Sequence, residues 1–296
     1  MTIREGRSDR IFSIANVVAV TLLGMIVLYP LIYILSASVS APEAVGSGQV
    51  ILLPKGFTLD GYQRVFREKN VLIGYRNTIF ITIVGTLINL VMTLPCAYAL
   101  SKRELPGNGF VMGLMVFTMY FSGGMVPTFI LVKNIGLYNS MAVLVVLGAV
   151  SVYNLIICRT FFAGIPKEME EAAYIDGCSM FHTFVKIVLP LSKALMGVMV
   201  LYYGIAHWNS YFNALIYILD DTKKPLQLFL RRILIVEAHN HSMNAMGSGD
   251  SMQDAEYLRQ LVKYSIIVVA SLPVLIIYPF LQKYFEKGVL IGSVKG

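Results

Sequence analysis

Residues 171–190, EAAYIDGCSMFHTFVKIVLP, form the longest segment between two apolar runs that combines strong helix signals with a dense charge pattern. Just before this segment, Pro166 can occupy the first turn of a helix, where its missing N–H costs nothing. Carboxylates favour the positive end of the helix dipole, and three follow in the early turns, at Glu168, Glu170 and Glu171. Gly177 predicts the end of this first helix.

A second short helix is expected directly after the first. Ser179 can cap its N-terminus. Apolar side chains then recur at helical spacing and predict one apolar face, made of Phe181, Phe184, Val185 and Val188. Pro190 ends the pattern. The segment is therefore predicted to be two short helices joined at a glycine, too polar to cross a bilayer, between two segments that can cross one.

The spacing of residues in this segment resembles a known loop. EAA at 171–173 is followed, after three intervening residues, by Gly177 and then, after nine intervening residues, by the pattern I-x-L-P at 187–190. This arrangement resembles the EAA loop of binding-protein-dependent ABC importer permeases. Further residues resemble the carbohydrate-uptake, maltose-type branch, whose members are inner-membrane subunits for oligosaccharides or polysaccharides: Arg159, IPKE at 165–168, and Ile175 with Asp176.

The resemblance implies a fold and a set of contacts. The fold would be that of a type I ABC importer permease, an all-α membrane protein with six transmembrane helices and a cytosolic helix-turn-helix coupling loop at 164–190. The loop would dock on an ATPase subunit through Glu171, Ala172, Ala173, Asp176, Gly177, Ile187, Leu189 and Pro190. Glu171 would offer a charge or hydrogen bond, the alanines would allow close approach, and Gly177 would permit a sharp turn. Without the resemblance, the segment is an ordinary cytosolic connector between membrane helices.

The composition excludes a soluble domain of ordinary make-up. The mean hydropathy is +0.69, and 14% of the residues are charged. The net charge of +7 is better explained by basic residues that flank membrane helices than by nucleic-acid binding, because no basic run carries interleaved aromatic residues. The cysteines, Cys96, Cys158 and Cys178, lie far apart in or beside apolar segments, and their odd number argues against a disulfide framework.

Apolar runs of about 20 residues predict the membrane helices. The six expected spans are 11–35, 76–100, 109–132, 140–163, 191–219 and 261–285. Residues 1–10 would be a cytosolic N-terminus and residues 11–296 a single transmembrane domain, with outward loops at 41–75 and 220–260. The first run is longer than the apolar region of a secretory signal peptide, so it is expected to be retained as a membrane helix. Cleavage near residues 36–38 is the alternative. Basic residues divide evenly between the two faces, so the cytosolic placement of the loop rests on the resemblance.

Several finer features are expected along the chain. The third span should be interrupted at residues 122–124 and Pro127, which requires neighbours to satisfy the backbone. Residues 59–66 could form a short surface helix, and residues 225–235 are amphipathic enough to lie at the membrane surface. Small and hydroxyl side chains share one face of the second span, for helix packing or for lining a polar pathway: Thr78, Thr82, Gly85, Thr86, Asn89 and Thr93.

The fifth expected span is the most polar and supplies the candidate substrate pathway. Sugars require aromatic faces with amide or hydroxyl groups, and these side chain types occur at Tyr202, Tyr203, Asn209, Tyr211 and Asn213. The alternative is an interfacial aromatic belt with amides that pack between helices. His207 is expected to pack rather than relay protons. His239 and His241 form an H-x-H pattern, which is weak as a metal site without further ligands.

The expected function is that of a permease subunit of an ABC importer for a carbohydrate, an oligosaccharide above all, in the bacterial cytoplasmic (inner) membrane. The chain lacks a G-x-x-x-x-G-K-[ST] loop, so ATP and Mg²⁺ would be bound by partner ATPases, and no catalytic residue, cofactor or metal is expected here. Expected partners are a second homologous permease, two ATPase subunits, an extracytoplasmic solute-binding protein and membrane lipid, but no nucleic acid. The rival interpretation is a stand-alone secondary transporter of a small polar solute, which would need ionisable groups deep in its helices.

Overall fold

The computed structural model describes residues 6–233, 261–279 and 282. In this part of the chain the regular structure is helical, which confirms the all-α class. The helices are α1 Arg7–Ser38, α2 Pro42–Gly46, α3 Asp60–Arg67, α4 Lys69–Ser101, α5 Asn108–Tyr120, α6 Met125–Asn134, α7 Ala142–Val146, α8 Val152–Ala163, α9 Lys167–Ile175, α10 Met180–Leu191, α11 Lys193–Trp208, α12 Phe212–Tyr217, α13 at residues 226–233, and α14 Leu261–Pro279.

Three of the described helices are long and apolar enough to cross a membrane by themselves. They are Ser8–Ser38 within α1, Lys69–Ser101 and Leu261–Pro279. Two further spans result if each bent pair counts as one, namely α5 with α6, bent by 112°, and α10 with α11, bent by 83°. The membrane class is therefore confirmed, whereas the count of six spans stays a prediction.

Two of the expected spans are interrupted where the sequence suggested continuous helices. The run 140–163 divides into α7 and α8, with residues 147–151 between them. The run 191–219 divides into α11 and α12 at residues 209–211. Both predictions of continuity were wrong, because apolar composition was taken as evidence for an unbroken helix. The expected break in 109–132 is confirmed, and α4 begins seven residues before the predicted start at 76.

By its contacts the chain divides into two compact units, Met1–Lys69 with Leu230–Leu272, and Asn70–Phe229 with Pro273–Gly296. In the first unit, the helix predicted at 59–66 is present as α3. It is more than a surface helix, since a side chain at Gly61 would collide with Ser265 and Leu261 of α14. The domain boundaries expected from the sequence stay a prediction.

The second unit contains two apolar clusters that share α4. One cluster joins α4, α8, α10 and α11 through buried residues that include Tyr98, Phe162, Phe184 and Met199. The other joins α4, α6, α7, α12 and α13. Because Phe184 and Val188 of α10 belong to the first cluster, the second half of the 164–190 loop is anchored in the membrane-spanning core.

The segment expected to lie at the membrane surface, 225–235, is packed against protein as far as it is described. Leu226 and Phe229 are buried and lie against Gly74 of α4, where a side chain would collide with them. The backbone N–H of Leu226 donates to Oγ1 of Thr78 at 2.8 Å. The amphipathic pattern of these residues therefore serves packing within the chain, and their placement at the membrane surface stays a prediction. Residues 234 and 235 lie outside the described part.

The break between α7 and α8 is held by a buried amide. Nδ2 of Asn89 in α4 donates to the backbone oxygens of Gly148 and Ala149. Oδ1 of Asn89 lies 2.6 Å from Nε2 of His207 in α11. Since the amide nitrogen must face the two carbonyls, Oδ1 accepts and Nε2 of His207 carries the proton. Asn89 thus supplies the hydrogen bonds that a continuous helix would have made internally.

Two neighbouring contacts complete this polar cluster. The hydroxyls of Thr93 in α4 and Tyr203 in α11 are hydrogen-bonded at 2.8 Å, and the backbone N–H of Ser151 donates to the tyrosine oxygen at 3.3 Å. Gly85 is required beside His207, because a Cβ atom there would lie 2.5 Å from the imidazole Nε2. The polar face of α4 therefore packs against other helices at Thr78, Gly85, Asn89 and Thr93.

Replacement of Asn89 by alanine should lower the thermal stability of the purified protein by several degrees. The change leaves two buried carbonyls and one imidazole N–H without their partner, at about 1–3 kcal/mol for each group. The Tm in detergent measures the effect, and Thr118→Ala is the matched control, because that exposed hydroxyl bonds only within its own helix. An Asn89→Ala protein with the Tm of the control would contradict the assignment.

Candidate coupling site

The first helix of the 164–190 loop begins and ends where local signals predicted. Pro166 is the N-cap residue, and α9 starts at Lys167 with Glu168 and Glu170 in its first turn. The helix ends at Ile175, and Gly177 follows with φ +77°. The N–H of Cys178 donates to the oxygen of Ala173 at 2.9 Å, which closes the helix end in the usual glycine-terminated manner.

The second helix begins at its predicted cap but departs from regular geometry. Oγ of Ser179 accepts from the backbone N–H of His182 at 3.3 Å. Residues Phe184–Val188 form a π-helical turn, and α10 ends at Leu191, one residue beyond Pro190. Ile187 and Leu189 are half-buried and Pro190 is exposed.

The single apolar face predicted for this helix was wrong. Phe184 and Val188 are buried, but Phe181 and Val185 are exposed, Phe181 by 74%. The wider π turn changes the angle between successive side chains, so residues that would share a face in a regular helix are divided between two directions. Phe181 and Val185 are therefore exposed on the surface of the loop.

The residues of the EAA segment and its neighbours differ in burial. Ala173 is buried together with Glu170, the residue that precedes the motif. Glu171 and Ala172 are exposed, as are Asp176, Gly177 and Ile175, the last by 87%. The residues implied by the resemblance are thus divided, with Ala173 buried and Glu171 exposed.

Glu170 was missed by the sequence analysis as a contact residue. Its carboxylate forms an ion pair with Lys102, which lies just after α4. The Lys102 ammonium also lies 4.5 Å from the centre of the Tyr98 ring. Glu168, Glu170 and Glu171 lie within four residues, and nothing in their local sequence indicates which of them is buried. The burial of Glu170 depends on a lysine 68 residues earlier in the chain.

A second ion pair joins the same two segments at the surface. Nζ of Lys167 lies 3.0 Å from Oε1 of Glu104, and both side chains are largely exposed. The pKa of Glu104 is lowered by its own backbone N–H and by Lys167. Between the two pairs lies an open pocket of about 430 Å³ that is lined by Lys102, Glu104, Glu171, Tyr174 and Met180, among others.

The five candidate pathway residues occupy different environments. Tyr203 is buried in the polar cluster with Thr93, whereas Asn209 is exposed and Tyr202 and Tyr211 are each more than a third exposed. Asn213 is half-buried on α12, beyond the break at 209–211. The five therefore share no single helical face, and their role in a pathway stays a prediction. His207 is hydrogen-bonded within the same polar cluster through Asn89.

The candidate metal pattern, His239 with His241, lies outside the described residues. Within the part of the chain that the structure describes, no group of three His, Cys, Asp or Glu side chains is arranged to hold a metal ion.

Comparison with known proteins identifies the family. Residues 71–291 match the family described as "Binding-protein-dependent transport system inner membrane component". The chain belongs to this family. It is accordingly a multi-pass transport permease of the bacterial cytoplasmic membrane.

Two curated relatives and one solved structure cover almost the whole chain. Protein LplC of Bacillus subtilis is 41% identical over 295 residues, which cover 100% of this chain and 98% of LplC. The polygalacturonan/rhamnogalacturonan transport system permease protein YtcP of the same organism is 40% identical over 289 residues, covering 97% and 99%. A chain in the crystal structure of a bacterial ABC transporter involved in the import of the acidic polysaccharide alginate is 34% identical, with a TM-score of 0.86 over 96% of this chain and 100% of that one.

Replacement of Gly177 by alanine should destabilise the turn between α9 and α10. A Cβ atom there would meet no neighbour within 4 Å, but the φ of +77° is strained for an L-residue, at about 1–2 kcal/mol. Trypsin should therefore cleave the loop faster in Gly177→Ala membranes. Gly113→Ala is the matched control, because Gly113 also lacks neighbours within 4 Å but has no positive φ. Equal cleavage rates in the two variants would contradict the prediction.

Proposed function

We propose that this chain is one of two permease subunits of an ABC importer and that its 164–190 loop docks on an ATPase subunit. The observation that carries the proposal is the two-sided burial of α9. Glu170 and Ala173 fix the helix to its own chain, while Glu171, Ala172 and Ile175 face outward. An exposed carboxylate, a small residue and a large apolar residue on one short helix are suited to contact a partner protein.

Energy would come from outside this chain. The sequence has no phosphate-binding G-x-x-x-x-G-K-[ST] loop, so ATP and Mg²⁺ would be held by two partner ATPase subunits. In this proposal the chain itself catalyses no reaction and holds no cofactor. Its part is to convert closure of the ATPase pair into a change in the accessibility of the pathway.

The second permease is supported by the surface of α1. The apolar window of Ser8–Ser38 has no buried residues, although its mean hydropathy is 2.5. Lipid and a second, homologous permease would cover this surface, since the apolar window of α1 buries no residue against its own chain. An extracytoplasmic solute-binding protein would deliver the solute, in keeping with the family's description.

We propose a carbohydrate, specifically an oligosaccharide, as the solute. YtcP is described as a transport permease for polygalacturonan and rhamnogalacturonan, and the solved relative as part of an importer of alginate. A third relative, AraQ of Bacillus subtilis, is described as a permease for arabinooligosaccharides. The accessible Tyr202, Tyr211 and Asn209 offer the aromatic and amide groups that a hydroxyl-rich solute requires.

The rival function, secondary transport of a small polar solute, has less support. A secondary transporter needs ionisable groups that can exchange protons or ions inside the membrane. Among the described residues, His207 would be the natural candidate, but its Nε2 proton is engaged by Asn89 and its ring is closely covered by Gly85. Purification separates the two functions. An ATPase that co-purifies with this chain and vanadate-sensitive uptake support the importer, whereas uptake driven by a proton or sodium gradient supports the rival.

Charge reversal at Glu171 should uncouple transport from ATP hydrolysis. Glu171→Lys and Gly177→Asp proteins should insert at normal abundance, but uptake of radiolabelled oligogalacturonate, alginate oligosaccharide or arabino-oligosaccharide should fall at least about tenfold, as expected for a lost interface contact. Glu171→Gln keeps the size of the side chain and is the matched variant, with a smaller loss expected. Wild-type uptake by Glu171→Lys membranes that contain normal amounts of protein would contradict the docking role.

A further inference from the structure

We infer that Lys102 and Glu170 form a brace that holds α9 in the orientation that presents Glu171 to the partner ATPase. The inference rests on the proposed docking of the loop and assigns two positioning residues outside the EAA motif. Lys102 follows the last turn of α4, and Glu170 lies in the first turn of α9. The ion pair between them therefore joins the end of a membrane-spanning helix to the coupling helix.

The burial of the pair distinguishes it from an ordinary surface contact. The side chains of Lys102 and Glu170 are 20% and 10% exposed. The ammonium also lies over the ring of Tyr98, at 4.5 Å from its centre, which adds a cation–π contact on the side of α4. Because both side chains are largely covered, the loss of either partner leaves the other charge with less compensation from solvent than a surface charge would have.

The helix α9 has little else to fix its orientation. Within the described chain α9 buries Glu170 and Ala173, and it leaves Met169 and Tyr174 42% and 44% exposed. Apolar contacts of this partial kind are not directional, so they fix the rotation of a nine-residue helix about its axis only loosely. A directional ionic contact at Glu170 can, because Glu170 and Glu171 point about 100° apart around the helix, so fixing the direction of one sets the direction of the other.

The other end of the brace is fixed by hydrogen bonds to the backbone. The oxygen of Leu100 accepts from Nε of Arg159 at 2.8 Å and from Nδ2 of Asn108 at 2.9 Å. The oxygen of Lys102 accepts from the same Asn108 amide at 2.7 Å. Residues 100–102 are thus tied to α8 through Arg159 and to the start of α5 through Asn108, so Lys102 projects from a fixed base.

The surface pair between Lys167 and Glu104 provides an internal control. It joins the same two segments, but its side chains are 73% and 69% exposed. Exposed ion pairs contribute little, because water and salt screen them. If only the net charge of these segments affected the affinity for the ATPase, substitutions in either pair would have the same effect. The brace requires that only substitutions in the buried pair lower the affinity.

The affinity of the ATPase for the purified permease pair in detergent tests the inference. The set comprises Lys102→Glu, Glu170→Lys, the double swap, and the control variants Glu104→Gln and Lys167→Met. Each single reversal should weaken binding at least about tenfold, and the swap should restore most of it, because opposite charges face each other again. The control variants should stay within about twofold of the wild type. The Tm of the permease pair without ATPase is recorded for every variant.

The outcomes separate the possible explanations. A swap that fails to restore affinity, or control variants that lose as much as the single reversals, would overturn the inference. A Tm that falls in parallel with affinity in every variant would assign the pair a structural role and would likewise overturn it. A wild-type permease pair that binds no ATPase would refute the proposed function itself, and the inference with it.

Conservative variants keep the test decisive if the single reversals fail to accumulate. Lys102→Arg retains the charge and should keep the affinity within about threefold, whereas Glu170→Gln retains the shape without the charge and should lower it about tenfold. Equal affinities for the two variants would contradict the inference.

Discussion

Backbone hydrogen bonding inside the protein governs this structure. Where a helix is interrupted and water is scarce, the released N–H and C=O groups need partners from elsewhere in the chain. Asparagine amides supply such partners at the break between α7 and α8 and in the loop that follows α12. Asn89 serves the carbonyls of Gly148 and Ala149, and Asn77 donates to the oxygens of Thr222 and Lys224. Oδ1 of Asn139 accepts from the N–H groups of Leu219 and Asp220, just after α12.

The dependence on these amides explains why α4 organises the second unit. Its small residues allow neighbouring helices to approach closely, as at Gly74 and Gly85. Its polar side chains form hydrogen bonds with backbone groups that the interrupted helices leave without a partner. The same helix contributes Leu94, Ala97 and Tyr98 to the apolar cluster that anchors α10. One helix therefore contacts both the irregular backbone in the core and the base of the 164–190 loop.

Local signals were enough to predict the ends of α9 and the start of α10, because each depends on a residue beside the end itself. Pro166 and Ser179 act through their own backbone geometry or hydroxyl, and Gly177 through its positive φ. The broken helices at 147–151 and 209–211 could not be predicted in this way. The break at 147–151 depends on Asn89, which lies some sixty residues earlier in the chain. In the sequence, Asn89 is simply one polar residue within an apolar run.

The 164–190 loop could likewise be predicted only in part from the sequence. The pattern of the EAA segment indicated the loop and its helix-turn-helix form, but not which side chains face inward. Residues Glu170 and Glu171 are adjacent and chemically identical, and only the position of Lys102 separates their roles. The π turn in α10 likewise has no marker in FVKIV, so the division of its apolar side chains could not be anticipated.

The length of α4 gives the attachment at Lys102 a mechanical meaning. With 33 residues, α4 is about 50 Å long at 1.5 Å per residue. If it moves as one body, a tilt of about 5° about the end near Lys102 displaces the opposite end by about 4 Å. A lever of this length magnifies a small push from a nucleotide-driven motor into a shift comparable to the width of a hydroxyl-rich ring.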